Sequence, residues 1–315
     1  MDQYFTVAVY VLAGLFGLCV GSFLNVVIYR LPNGMSLAFP PSHCTKCDYT
    51  LRWYDNIPVL SYLFLGGKCR KCKEPISFRY TAVELANALL WLAAAMLFWE
   101  KSIPFAVSIA LAFSVFICIF FIDLSHKLIY DRFQVILLAL GAVATFFDPA
   151  FGWISHLIGG ASGFLVFLLL ALLFEKLYGR EALGGGDIKL AGTAGLLLGW
   201  ERLLLALLIA SVTASVIMLA LRARHKENAE SDASENEEAP RQTDEEIEEA
   251  TVETNEEFTE ELTEESTEEL TEESGEEEIE EDGESFPFGP FLVSAFTLVL
   301  LFGDRVIAWY LTLLN

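Results

Sequence analysis

The chain has 315 residues, 54% of them hydrophobic, and a formal net charge of −23. These figures conflict for a soluble domain until the charge is located: 29 of the 43 acidic residues, and one base, Arg241, lie between Glu227 and Phe286. The rest of the chain holds 14 acids and 19 bases, which describes a basic membrane protein carrying an acidic insert and gives no reason to expect nucleic acid as a partner.

A helical span needs about 20 mostly apolar residues. Eight candidates occur in chain order, near 5–28, 81–99, 103–122, 133–147, 153–174, 188–200, 203–221 and 288–302. The fourth and sixth are short. The first is too long, and too poor in early positive charge, for a cleaved signal peptide. The predicted fold is an all-α polytopic membrane protein of about eight transmembrane helices in a lipid bilayer. Four parts are expected: 1–100 with two spans and a cysteine loop, 101–222 as the membrane core, 223–286 as the acidic insert, and 287–315 as the last span.

Lys and Arg collect in cytoplasmic loops. Seventeen of the 20 fall on one side of the alternating spans, eight of them between Arg30 and Arg79; only Lys101, Arg202 and Arg305 fall on the other. Both termini are therefore expected outside, with the large basic loop in the cytosol. That loop contains Cys44-x-x-Cys47 and Cys69-x-x-Cys72, a spacing suited to a tetrahedral zinc site in a small ribbon. Redox chemistry is the alternative, but a cytosolic compartment keeps thiols reduced. Cys19 and Cys118, alone in apolar spans, read as small core hydrophobes.

Acids inside spans are costly and default to a functional reading. Glu84, Asp123 and Asp187 lie at or just inside the cytosolic ends of their spans. Two carboxyls that can meet are the machinery of aspartic proteolysis, one activating water and the other donating to the scissile carbonyl. Each could instead merely cap a helix. Gly184, Gly185 and Gly186, directly ahead of Asp187, favour the first reading, because they admit positive φ and the close approach of another backbone. Asp187 would open a helix, whose positive end suits a carboxylate. Asp123 would close one, whose negative end suits the neutral acid. Asn25 and Glu84 could line the site, although an interhelical hydrogen bond accounts for either.

The segments GSFLNVVIYRLP, the two cysteine pairs, LRWYDNIPVLSYLFLGGKCRKC, ISFRYTAVE, the Asp123 segment, GGGDIKL and FPFGPFL occur in that order. Together they resemble the type IV leader peptidase and N-methyltransferase family of GxGD membrane aspartic proteases, over nearly everything outside the insert. The resemblance implies that Asp123 and Asp187 are the catalytic pair. It also implies cleavage, after a glycine at the cytosolic face of a prokaryotic inner membrane, of the basic leader of type IV prepilin or pseudopilin precursors. Methylation of the new N-terminus from S-adenosylmethionine would follow, with the N-terminal half and its cysteine loop linked to methyl transfer. One departure stands out: Tyr130 occupies the position where the family usually places proline. No glycine-rich nucleotide loop marks a cofactor site.

The acidic insert repeats Thr-Glu-Glu blocks with little apolar content and is expected to be disordered. It could be a tolerated loop, or it could steer basic leaders toward the site. A zinc metalloprotease would need an H-E-x-x-H-like pair, and His43, His126, His156 and His225 are scattered. A transporter or scaffold with a zinc ribbon would be helped by an inverted repeat, and none is visible.

Overall fold

Apolar runs that must satisfy their own backbone in lipid fold as helices. The computed structural model describes residues 3–179, 184–238 and 288–314. Its helices are α1 (Gln3–Arg30), α2 (Leu60–Phe64), α3 (Phe78–Phe98), α4 (Ile103–His126), α5 (Asp131–Phe147), α6 (Trp153–Tyr178), α7 (Gly185–Leu198), α8 (Trp200–Glu238) and α9 (Gly289–Leu314). Among the described residues there is no strand, only two isolated bridges in the cysteine loop.

Each of the eight expected apolar segments is helical, but only six helices are long and apolar enough to cross a membrane: α1, α3, α4, α6, α8 and α9. With 17 and 14 residues, α5 and α7 reach about 26 and 21 Å, short of a hydrocarbon core of about 30 Å. Glycines bound α7 at both ends: Gly184 precedes it and Gly199, at φ 82°, ends it. Its Leu190, Ala191, Ala194, Leu197 and Leu198 are fully buried, so it is a core helix and presents little surface to lipid.

Two compact units divide the chain, Met1–Ser215 with Pro287–Asn315, and Val216–Phe286. In the second unit, helix extends to Glu238. The first residues of the expected disordered insert are therefore helical, as their Ala, Glu, Arg and Lys content favours. The rest of the insert lies outside the described residues.

In the first unit α4 is the central helix, with Phe105, Ile109, Ala112, Phe113, Ile119 and Ile122 fully buried. It contacts α3, α5 and α9, while α1 packs on α3, and α7 on α5 and α6. Small residues let two of these pairs approach closely. A Cβ on Gly17 or Gly21 of α1 would meet the Cα of Ala88 or Glu84 of α3 at 2.8 Å. Gly159 and Gly163 of α6 press on the carbonyls of Gly195 and Ala191 of α7. Such spacing of small residues is how membrane helices gain contact without a hydrophobic driving force. A chain of polar groups adds to it: Asn87 Nδ2 donates to Gly17 O (2.7 Å), Ser114 Oγ to Asn87 Oδ1 (2.8 Å) and Trp91 Nε1 to Ser114 Oγ (2.9 Å).

Arg202 does not lie in an exposed loop, as its place in the charge count supposed. It is 1% exposed. Asp304 receives its Nε and Nη2 (2.7 and 3.0 Å), and Asp148 receives its Nη1. The rings of Phe151 and Phe105 lie 4.7 and 5.8 Å from its guanidinium carbon. Cys118 is buried as expected, whereas Cys19 is on an exposed face of α1.

Candidate active site and metal centre

Asp123 stands one turn before the end of α4. Lys127 stops that helix in left-handed backbone (φ 53°), with its N–H on the Asp123 carbonyl (2.9 Å). The Asp123 side chain is buried. Tyr130, ahead of α5, has φ −74°, close to the angle proline would fix, so the departure from the family pattern leaves the local backbone able to start the helix. Asp187 is the third residue of α7, with its N–H on Gly184 O (3.0 Å).

Ile129 lies beside Gly186, the residue before Asp187, and beside Gly289, which borders Asp123. A Cβ at Gly186 would come 2.9 Å from Ile129 Cβ; one at Gly289 would come 3.3 Å from Ile129 Cδ1 and 3.0 Å from Asp123 Cγ. Asp123 and Asp187, 64 positions apart in sequence, are thus brought into one neighbourhood, close enough for the charge of one to act on the other. Asp187 Oδ1 is buried with no hydrogen-bond partner among the described residues. Gln134 ties α5 to this end of α7, donating to Gly186 O (3.4 Å) and accepting from Thr193 Oγ1 (2.8 Å). Lys189 reaches Asp131 at 2.6 Å on the surface, where such a pair contributes little.

Two expectations need correction. None of Gly184, Gly185 and Gly186 has positive φ; they form the N-cap and first turn of α7. Close approach is real only at Gly186, and the neighbour is the Ile129 side chain. A Cβ on Gly185 would meet nothing within 4 Å, which leaves room beside Asp187. Second, the Asp123 carboxyl takes a hydrogen bond from the Gly289 N–H at the start of α9. Both carboxyls therefore face helix N-termini, and the contrast of helix ends no longer separates them. Sequence reasoning missed the part played by Gly289. Its only signal was the Gly-Pro pair at the start of an apolar run, where proline suits a first helical turn.

Asn25 and Glu84 do not join the aspartates. Asn25 Nδ2 donates to Tyr80 O (3.0 Å), and Glu84 Oε2 accepts the Val59 N–H (2.8 Å). Both line a cavity of about 490 Å³ bounded by α1, the cysteine loop and α3, which neither Asp123 nor Asp187 lines.

The cysteine loop brings its four sulfurs within 4.8 Å of one another. Cys44 Sγ to Cys72 Sγ is 3.8 Å and Cys47 Sγ to Cys69 Sγ is 4.0 Å. Four thiolates at about 2.3 Å around a tetrahedral Zn²⁺ would stand about 3.8 Å apart, so the set fits that ion. Each pair sits in a matching turn: Asp48 N–H bonds Cys44 O (2.9 Å) and Lys73 N–H bonds Cys69 O (3.1 Å). Hydrogen bonds from the backbone N–H groups of Cys72 and Lys71 pull the Cys69 thiol down to about 6, toward the ligating thiolate. Asp55 clips the turns together, accepting from Arg70 Nε (2.6 Å) and Tyr49 Oη (3.0 Å). Burial opposes charge on Asp55, but these bonds outweigh it and hold its carboxyl below the usual range.

Asp48 and Lys73, one after each second cysteine, have φ 52° and 62°. Left-handed backbone strains a Lys by about 1 kcal/mol or more, so Lys73→Gly is expected to raise the metal-loaded loop's stability by about 0.5–1 kcal/mol, measured by thermal melting. A chelator is expected to open residues 42–76 to protease while the helices stay intact, because a metal on the four sulfurs would stand in this loop for a hydrophobic core; limited proteolysis reads it.

Fold and site together describe a polytopic helical protein with two carboxyls at one end of its bundle and a four-cysteine cluster in a loop. Residues 15–98 match the bacterial peptidase A24 N-terminal domain, and residues 109–219 match the type IV leader peptidase family. The chain belongs to the type IV leader peptidase family. It is 37% identical over 254 residues to a prepilin leader peptidase/N-methyltransferase of Pseudomonas aeruginosa, covering 69% of this chain and 81% of that one. It is 30% identical to that of Aeromonas hydrophila, over 95% of this chain and 92% of the other. The similarity to the Myxococcus xanthus protein of that name is 40%, over 64% of this chain and only 59% of the relative. No solved structure matches.

Proposed function

We propose that this chain is a membrane peptidase and N-methyltransferase acting on type IV pilin-like precursors. It cleaves the basic leader after a glycine at the cytosolic face, with Asp123 and Asp187 as the acid–base pair. It then methylates the exposed amine. The observation that carries the reading is the convergence of two acids distant in sequence, near enough to act on one another, one of them with a buried oxygen that has no hydrogen-bond partner among the described residues. A carboxyl ready to hold water and a second able to give a proton are what peptide hydrolysis needs. In the second reaction S-adenosylmethionine supplies a methyl group on a sulfonium. The N–C bond forms as the S–C bond breaks, the amine loses one proton, and a neutral thioether leaves.

Family membership and the named relatives support the substrate class. The metalloprotease reading finds no help in the cysteines, since four thiolates fill a tetrahedral ion and leave no position for water. We take the zinc as structural. We also take α5 and α7 as short passes that complete eight, with both termini outside. The acidic insert then lies in the cytosol, where its charge raises the local concentration of basic leaders. The test is incubation of purified protein with a prepilin, followed by mass spectrometry of the product. Leader loss together with a mass gain of one methyl is expected, and neither change would overturn the reading. Deleting residues 227–285 is expected to slow cleavage at low salt only; an unchanged rate there removes the steering role.

A further inference from the structure

We propose that the cavity between α1, the cysteine loop and α3 is the S-adenosylmethionine site, with Glu84 as the group facing its positive charge. This rests on the methyltransferase reading above and adds where the methyl donor sits. The cavity, about 490 Å³, falls in the ordinary range for small-molecule sites. Its lining suits a ligand that carries a sulfonium, an ammonium and a purine. Glu84 supplies a buried carboxyl, the lining Arg70 and Arg30 are already held by Asp55 and by the Ser36 and Pro40 carbonyls, and Tyr29, Tyr62 and Tyr80 supply rings for stacking and cation–π contact.

Glu84 is the telling residue. It is 8% exposed, and among the described residues no cation pairs with it, whereas Asp55 has Arg70. The Glu84 carboxyl accepts the Val59 N–H and the Ser22 hydroxyl, but burying its charge without a counter-ion is still costly, and a cationic ligand would offset that cost. The same carboxyl holds the N–H of Val59, a β-branched residue at φ 61°, between Asn56 and Ser61, which line the cavity. Strain of this kind persists where the surroundings over-determine it, commonly at ligand sites. The cavity is lined by Cys44 and Cys69, so the metal loop forms one of its walls. Neither Asp123 nor Asp187 lines it, so leader cleavage and methyl transfer use separate pockets, and the new amine must travel between them.

The experiment measures binding, not turnover. Full-length protein in detergent is titrated with S-adenosylmethionine by calorimetry, and its hydrogen exchange is compared with and without that ligand. Saturable binding with protection in 20–30, 54–62 and 76–84 is expected. Asn56→Trp, on the exposed rim, is expected to weaken binding by at least about tenfold with an unchanged melting temperature. Glu84→Gln, which keeps the Val59 hydrogen bond and removes the charge, is expected to do the same. Binding with protection confined to other segments overturns the site and leaves the methyltransferase reading standing. No binding to the unmodified protein overturns both. If Asn56→Trp fails to fold, the exchange pattern of the unmodified chain decides alone.

Discussion

Replacing Asp187 by asparagine is expected to abolish leader cleavage, lowering its rate at least about a thousandfold, while the protein keeps its fold. Asparagine matches the shape and cannot exchange a proton in the same way. Because Asp187 Oδ1 has no hydrogen-bond partner among the described residues, little native stability is lost with the charge. Asp123→Asn is expected to do the same, since an amide oxygen can still accept the Gly289 N–H. The two variants should be no worse together than either alone, as groups acting as a unit are not additive. Cleavage of a purified prepilin, followed beside a thermal melt, reads both quantities. Full activity in either single variant would end the aspartyl reading.

The largest effect on stability is expected at the other end of α5. Arg202→Met should destabilise the bundle by about 3 kcal/mol, because it leaves the fully buried Asp148 carboxyl with only His156 Nε2 (3.2 Å) and the Ala150 N–H (2.8 Å) as partners. Asp304 is part-exposed and can turn to water, so its loss of partner matters less. Combining Arg202→Met with Asp148→Asn should recover a good part of the loss. Unfolding in denaturing detergent measures it, and a single variant within about 1 kcal/mol of the parent would contradict the account.

Much of this molecule is legible in its residues because membrane helices announce themselves in a one-dimensional pattern. Apolar length gave α1, α3, α4, α6, α8 and α9, and the paired spacing gave the cysteine cluster. Asp123 and Asp187 stood out because a carboxyl inside an apolar run needs a reason. What escaped depends on partners distant in the chain. Arg202 looked like a loop charge because Asp148 and Asp304, its acceptors, lie 54 and 102 positions away. Gly289 drew no notice because the Asp123 carboxyl to which its N–H donates lies on α4, far away in the chain. The three glycines before Asp187 suggested backbone freedom, but helix formation absorbed it, and only Ile129 explains why one of them lacks a side chain. The apolar content of α5 and α7 is visible locally, whereas the burial that lets helices so short lie in the bundle is not.

The seam between Gly159, Gly163, Ala191 and Gly195 sets main chain against main chain over two turns of α6 and α7. With backbone in direct contact and only Leu203 beside Gly163 and Gly195, a substitution that adds a side chain at Gly159 or Gly195 has nowhere to go without parting the two helices. Asp187 is thereby bolted to α6. Asp123, by contrast, sits one turn before the four-residue link 127–130 and against the first turn of α9, so its surroundings are built from chain ends rather than from a backbone seam.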